Sequence, residues 1–246
     1  MKQYYEYEIQ YQEVDANRRL RLFTLENYLL NVAGRASDEG GYGIQYLFQQ
    51  GLTWVITRLN LELTYMPTYG EVIRIETWIE QNSHMLSTRD YRIYLGERLI
   101  GQAKSIWTVL DLTKREIVNV FDQAPFMDIV DGEVLNMTRA ERLTPIQEPT
   151  LCDTRTIRYS DVDYNNHCNS CKYLEIMLDT YTPAQLADIA HNPIRLDINY
   201  VKEVRLHQPL TTLVNVQEEY IQYQQKDEFG NTCCSARFST IKNTHC

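Results

Sequence analysis

The chain has no apolar run near the roughly 18–20 residues needed to span a membrane. Its opening residues, Met1-Lys-Gln-Tyr-Tyr-Glu-Tyr-Glu8, contain no apolar h-region, so no export signal is expected there. A basic surplus is missing too: 24 lysines and arginines face 33 aspartates and glutamates, giving a net charge of −9. General nucleic-acid binders usually carry the opposite balance, and no helix-turn-helix is evident, so nucleic acid is not an expected partner. Cys168-x-x-Cys171 has no second pair at finger-like spacing, so neither a metal nor another cofactor is expected. Without an export signal, Cys152, Cys168, Cys171, Cys233, Cys234 and Cys246 are expected to be reduced thiols in a cytoplasmic protein. A Gly-x-Ser-x-Gly nucleophile elbow is also absent, which argues against a serine hydrolase of that type.

What is present is ordinary in bulk and unusual in pattern. Hydrophobic residues make up 43% of 246 residues, enough for one large domain or two small ones. Eighteen tyrosines, several in apparent strands, suit a sheet-rich fold. The most informative stretch is Asp163-Tyr-Asn165-Asn-His167-Cys-Asn169, just before a helical run from Lys172 to Asp179. In extended backbone alternate residues share a side, so Asp163, Asn165 and His167 are expected to converge. An imidazole exchanges protons near neutral pH, an amide donates to a carbonyl oxygen, and a carboxylate orients either.

The chain also contains a second version of this stretch. Asp15-Ala-Asn17-Arg-Arg19 precedes the helical run Thr24 to Ala36, with Leu25, Tyr28, Leu29 and Val32 at helical spacing and Thr24 as the expected N-cap. Arg58-Leu-Asn-Leu-Glu-Leu-Thr-Tyr65 resembles Arg195-Leu-Asp-Ile-Asn-Tyr200 once a short gap is allowed. Strands over Val72–Gln81 and Leu210–Glu219 follow, and the halves close with hairpins at Leu95-Gly96-Glu97 and Glu228-Phe229-Gly230-Asn231. Each half thus reads as a strand, one helix and about four antiparallel strands. A helix lying across a twisted antiparallel sheet is the hotdog arrangement, an α+β fold, here expected twice. The expected domains are 1–120 and 151–246, joined by a linker over 121–150 that crosses the surface and includes a short helix near Met137–Leu143.

Nearly the whole chain resembles the acyl-ACP thioesterase family in its bacterial branch. Gly51-Leu-Thr-Trp54-Val-Ile-Thr-Arg58 and Tyr65-Met-Pro67-Thr-Tyr-Gly70 are similar to the family's Trp-led strand and Tyr-Pro-Thr-Trp-Gly turn, with Tyr69 where Trp is common. Asp163-x-Asn165-x-His167-x-Asn169-x-x-x-Tyr173 is similar to its catalytic signature, and Tyr200-Val-Lys-Glu203 to its Tyr-x-x-Glu. Val204 stands where plant members often have Cys, so a cysteine nucleophile there does not apply. The resemblance implies hydrolysis of fatty acyl-acyl carrier protein in fatty acid biosynthesis, with acyl-CoA hydrolysis or non-catalytic acyl binding as the alternatives. The implied partner is acyl carrier protein bearing a phosphopantetheine-linked chain, and the implied state is a monomer or homodimer.

Thioester hydrolysis needs an activated water or nucleophile and a donor for the oxyanion. His167 and Glu203 are the candidate pair for the water, and Asn165 either donates to the thioester carbonyl or holds the water. Asp163 either orients them, attacks directly to give an anhydride, or caps a turn. Arg19 replaces His167 in the first copy and cannot act as a base. That half is then free to shape an acyl pocket, with Trp54, Leu59, Leu61 and Leu29 as candidate contacts, although ordinary core packing explains each as well. Asn169 reads equally as a site residue or a helix N-cap. Lys202 and Arg205 flank Glu203 and are candidate docking cations for an acidic carrier. His84, His191, His207 and His245 lack convergent partners in the sequence.

Overall fold

The computed structural model describes residues 2–121, 126, 129–138 and 142–241. Two compact units emerge, Met1–Leu61 with Met66–Arg139 and Glu62–Tyr65 with Ala140–Cys246. The first half runs β1 (Gln3–Glu8), α1 (Leu22–Glu39), α2 (Ile44–Phe48), β2 (Leu52–Leu63), β3 (Val72–Ser83), β4 (Leu86–Leu95), β5 (Arg98–Asp111) and β6 (Ile117–Val118). The second runs β7 (Leu151–Thr156), α3 (Ser170–Leu178), α4 (Pro183–His191), β8 (Ile194–Tyr200), β9 (Pro209–Val216), β10 (Tyr220–Lys226) and β11 (Thr232–Thr240). Strand order is β1-β3-β4-β5-β2 in the first half and β7-β9-β10-β11-β8 in the second. These orders are the same once each strand is replaced by its counterpart, so the internal repeat is a repeat of topology.

The elements form where burial and turn chemistry agree. On α1, Leu25, Leu29, Val32 and Ala36 are fully buried, and the helix packs on β1 and β3. Each fully buried leucine contributes about 1.5–3 kcal/mol relative to exposure. Along β3, Ile73, Ile75 and Thr77 are buried while Arg74 and Glu76 are not, the period of a strand with one core face. Gly96 and Gly230 sit at φ +57° and +79° in the β4–β5 and β10–β11 turns, where a side chain would be strained. In the second half, α3 lies on the sheet through Tyr173, whose ring meets Tyr200 edge-on at 6.4 Å and whose carbonyl accepts from Gln225 Nε2 at 3.1 Å. Tyr181, Tyr223 and Phe238 close that core with ring centroids 5.7–5.8 Å apart.

Three local expectations change. The N-cap of α1 is Arg21; Thr24 is already inside the first turn, its amide donating to Arg21 O at 2.9 Å. Each half has a second short helix, and α4 carries a legible start: Thr182 caps it, Pro183 opens it and Gln185 completes a capping box. The stretch read as a surface linker is partly built into both units. Phe121 and Phe126 join Tyr42 and Leu47 in a buried cluster, and Leu135 and Met137 pack on Trp78. Trp78 Nε1 donates to Glu133 O at 2.8 Å, and Arg92 and Lys2 both pair with the Glu133 carboxylate. Farther on, Ile146 N donates to Gln224 Oε1 at 3.0 Å and Thr150 N to Val214 O at 2.7 Å. The expected helix near Met137–Leu143 includes residues 139–141, which lie outside the described residues.

Candidate active site

Asp163, Asn165 and His167 do not lie along an extended strand. They form a closed loop between a single 3₁₀ turn, Tyr159–Asp161, and α3. Asp163 N donates to His167 O at 2.8 Å, and Asn166 N to Asp163 O at 3.0 Å. Asn166 sits at φ +59°, a conformation asparagine tolerates better than most residues. The Asp163 carboxylate turns inward: Oδ1 accepts from the amides of Asn165 at 2.8 Å and His167 at 3.2 Å. The half-buried Asn165 carboxamide has no hydrogen-bond partner among the described residues.

Glu203 reaches this loop from the segment after β8. The backbones of His167 and Arg205 form an antiparallel bridge, and Cys168 N donates to Val204 O at 2.7 Å. His167 Nε2 then lies 3.2 Å from Glu203 Oε1, and Arg205 Nη2 lies 3.2 Å from the same oxygen. A carboxylate only accepts, so the contact places the imidazole proton on Nε2 and leaves the Nδ1 lone pair open. This is the orientation that lets a histidine take a proton while the carboxylate stabilises the resulting imidazolium. Tyr173, buried on α3, brackets Glu203: its hydroxyl donates to Lys202 O at 3.4 Å and accepts from Val204 N at 3.2 Å.

The first unit repeats this frame almost bond for bond. Asp15 Oδ1 accepts from Asn17 N at 2.8 Å and Arg19 N at 3.1 Å, Asp15 N donates to Arg19 O at 2.8 Å, and Arg18 takes φ +61°. Arg19 bridges Thr68, and Leu20 N donates to Pro67 O at 2.7 Å. Thr68 N reaches Glu71 Oε2 and Arg205 N reaches Gln208 Oε1, each at 2.8 Å. These bonds match His167 with Arg19, Val204 with Pro67 and therefore Glu203 with Met66. No gap belongs between Arg58–Tyr65 and Arg195–Tyr200. Inserting one to align the two tyrosines hides the glutamate's counterpart. Two details of the first copy close it chemically: Arg19 Nη1 donates to Met66 O at 3.2 Å, and Asn17 Nδ2 donates to Asp15 Oδ2 at 3.2 Å.

The remaining expected site residues are placed as follows. Asn169 caps α3, its Oδ1 accepting from Cys171 N at 3.0 Å, so the cap reading accounts for it. Lys202 Nζ pairs with Asp227 Oδ2 at 2.6 Å and pins the β10–β11 turn, while the Asp227 carboxyl is held far below the usual range, chiefly by that ammonium and by Asn231. Arg205 remains 60% exposed while touching Glu203. Leu29, Leu59 and Leu61 are fully buried, and Trp54 donates from Nε1 to Tyr42 O at 3.0 Å beside Phe121 and Phe126. Cys168 is buried and its thiol is pushed up to about 12, first by desolvation and then by Asp161, which makes it a poor nucleophile. His84 Nδ1 meets Asn119 Nδ2 at 3.2 Å, and His245 lies outside the described residues. Among the described residues no helix is long and apolar enough to cross a membrane.

Residues 2–125 match the model of the acyl-ACP thioesterase N-terminal domain, and residues 147–239 match that of the C-terminal domain. The fold superposes on the crystal structure of an acyl-ACP thioesterase from Bacteroides thetaiotaomicron with a TM-score of 0.88 and 27% identity, covering 98% of each chain. It also matches the fold of the 12:0-ACP thioesterase from Umbellularia californica, with a TM-score of 0.85 and 17% identity over 98% of this chain and 97% of that one. Among curated proteins, the chloroplastic palmitoyl-acyl carrier protein thioesterase of Arabidopsis thaliana is 27% identical over 187 residues, covering 68% of this chain and 44% of the relative. The chain spans about half the length of the curated relatives it matches. With both of its halves accounted for by the two domain models, the chain belongs to the acyl-ACP thioesterase family.

Proposed function

We propose that this chain is a cytoplasmic enzyme that hydrolyses the thioester of fatty acyl-acyl carrier protein, releasing the free fatty acid and the carrier thiol. The observation that supports it most is the 3.2 Å contact of His167 Nε2 with Glu203, in a loop whose Asn165 carboxamide has no partner among the described residues. His167 Nδ1 takes a proton from water as the water attacks the thioester carbon. Glu203 holds the ring and stabilises the imidazolium. The Asn165 amide donates to the carbonyl oxygen as negative charge develops there, a role worth about 10²–10³ in rate for one well-placed donor. Collapse of the tetrahedral intermediate breaks the C–S bond, and the imidazolium returns its proton to the departing thiolate.

Trp54, Leu29, Leu59 and Leu61 remain candidate contacts for the acyl tail. Acyl carrier protein is the proposed partner. A net charge of −9 opposes a long-range attraction to an acidic carrier, so docking relies on local cations, of which the exposed Arg205 is nearest the pair. Thiol release from acyl carrier proteins of graded chain length, with matched acyl-CoAs as the control, tests the reading. Turnover of the carrier-bound series is expected. Preference for the CoA series would move the assignment to acyl-CoA hydrolysis, and turnover of neither would leave a binding module.

A further inference from the structure

Subtracting the first copy of the loop from the second separates what builds it from what only the second copy has. Asp163 and Asn165 have counterparts, Asp15 and Asn17, in the same frame. His167 and Glu203 do not, being replaced by Arg19 and Met66. A third replacement accompanies these two. The loop register that pairs His167 with Arg19, and the N-caps Asn169 with Arg21, places Tyr173 of α3 opposite Leu25 of α1. Both side chains are buried, and only the second copy has a hydroxyl there.

That hydroxyl meets backbone on either side of Glu203, Val204 N at 3.2 Å and Lys202 O at 3.4 Å. In the first copy the residue opposite Val204 is Pro67, which has no amide hydrogen to satisfy. The first copy thus has neither the amide that needs a partner nor the hydroxyl that would serve it, and the second has both. The segment is pinned further by Lys202 N to Cys233 O at 3.1 Å and by the Lys202–Asp227 ion pair at 2.6 Å. Glu203 lies between two held residues, and its carboxylate meets the imidazole.

We propose that Tyr173 is a positioning residue for the thioesterase site: its buried hydroxyl fixes the backbone at Lys202 and Val204 and so holds the Glu203 carboxylate on His167. The inference rests on the thioester-hydrolase reading and adds a residue from the helix to it. The phenol remains neutral at any working pH, because burial raises its ionisation far above the ordinary tyrosine range. It acts through a hydrogen-bonded backbone and not by proton transfer.

The test is a double-mutant cycle of Tyr173→Phe with Glu203→Gln, assayed on the acyl-acyl carrier protein that the wild-type chain turns over best. Tyr173→Phe alone is expected to lower kcat roughly ten- to a hundred-fold with KM little changed, the size of effect that follows from a misplaced catalytic group. In the Glu203→Gln background the same change is expected to do little more, because its route of action is already gone. Multiplicative losses, or wild-type kcat in Tyr173→Phe, would overturn the proposal. If Tyr173→Phe does not fold, with Val204 N left unsatisfied, the double variant Tyr173→Leu/Val204→Pro imports the first copy's solution. It is expected to fold and to show the same kcat loss, and wild-type kcat there would equally overturn the proposal. A wild-type chain inactive on every acyl-acyl carrier protein would instead remove the functional reading before any variant is compared.

Discussion

The loops at Asp15–Arg19 and Asp163–His167 are near copies in backbone and opposites in chemistry. Both are closed by the same pair of main-chain bonds, both have an aspartate accepting from two following amides, and both have a non-glycine residue near φ +60° at the fourth position. One presents an imidazole on a carboxylate, and the other an arginine on a carbonyl. The loop frame is therefore independent of the reaction. An aspartate that does the same work where no base exists is explained by the frame, which favours water activation over direct attack by Asp163.

Removing the base should produce the largest effect. His167→Ala is expected to lose roughly 10²–10⁴ in kcat while keeping its fold and melting temperature. Wild-type-like turnover would end the contrast between the loops, since the second would then be as silent as the first. Next in size is the aspartate. Asp163→Ala and Asp15→Ala should each destabilise by about 1–3 kcal/mol, the cost of two amides losing a charged acceptor. Asp163→Asn keeps an oxygen for both amides but cannot form an anhydride, so it is expected to retain kcat within about ten-fold. A dead but folded Asp163→Asn would restore the covalent route.

A smaller effect concerns backbone strain. His207 takes φ +69° at the position where the first copy has Gly70 at +81°. Copying the first unit with His207→Gly should raise stability by about 0.5–1 kcal/mol, because the left-handed conformation costs a side chain more than it costs glycine. Urea denaturation gives the sign. The smallest effect is in the thiols. Cys168 and Cys233 are pushed up to about 12 and about 11, in both cases mainly by desolvation. Their neutral form is favoured in the fold, so their contribution is complete below the unfolded thiol value of about 8.5 and fades as pH climbs toward 11–12. At neutral pH a thiol reagent should label exposed Cys152 first among the described cysteines, without loss of activity. Rapid inactivation through Cys168 would contradict the assignment of an unreactive thiol.

Much of the site was legible in order and little of it in register. Asp163, Asn165 and His167 stand together in the sequence, and Gly96 and Gly230 mark their turns by a backbone need that few other residues meet. Glu203 could be named only through its resemblance to a family motif. Its silent counterpart Met66 is hidden by any alignment that sets Tyr65 against Tyr200, whereas hydrogen bonds across the loop set Leu63 there. Tyr173 was visible only as part of the signature, since a buried tyrosine on a helix face reads as core until its hydroxyl is traced. Residues 121–150 read as a linker because prolines and mixed charge mask Phe121, Phe126, Leu135 and Met137, whose burial depends on strands far away in the chain.

Sequence alone determined the repeat, the alternation that makes each sheet, the helical stripe that covers it, and the loss of a titratable group from one copy, because these are properties of residue type and local spacing. Tertiary structure decided which carboxylate meets His167, that Asp163 turns into its own loop, and that Tyr173 holds the segment around Glu203. The contacts of His167 with Glu203 and of Tyr173 with Lys202 and Val204 join residues about 30 to 40 positions apart at 3.2–3.4 Å, and a hydrogen bond depends on where two atoms are placed, which local sequence pattern does not encode.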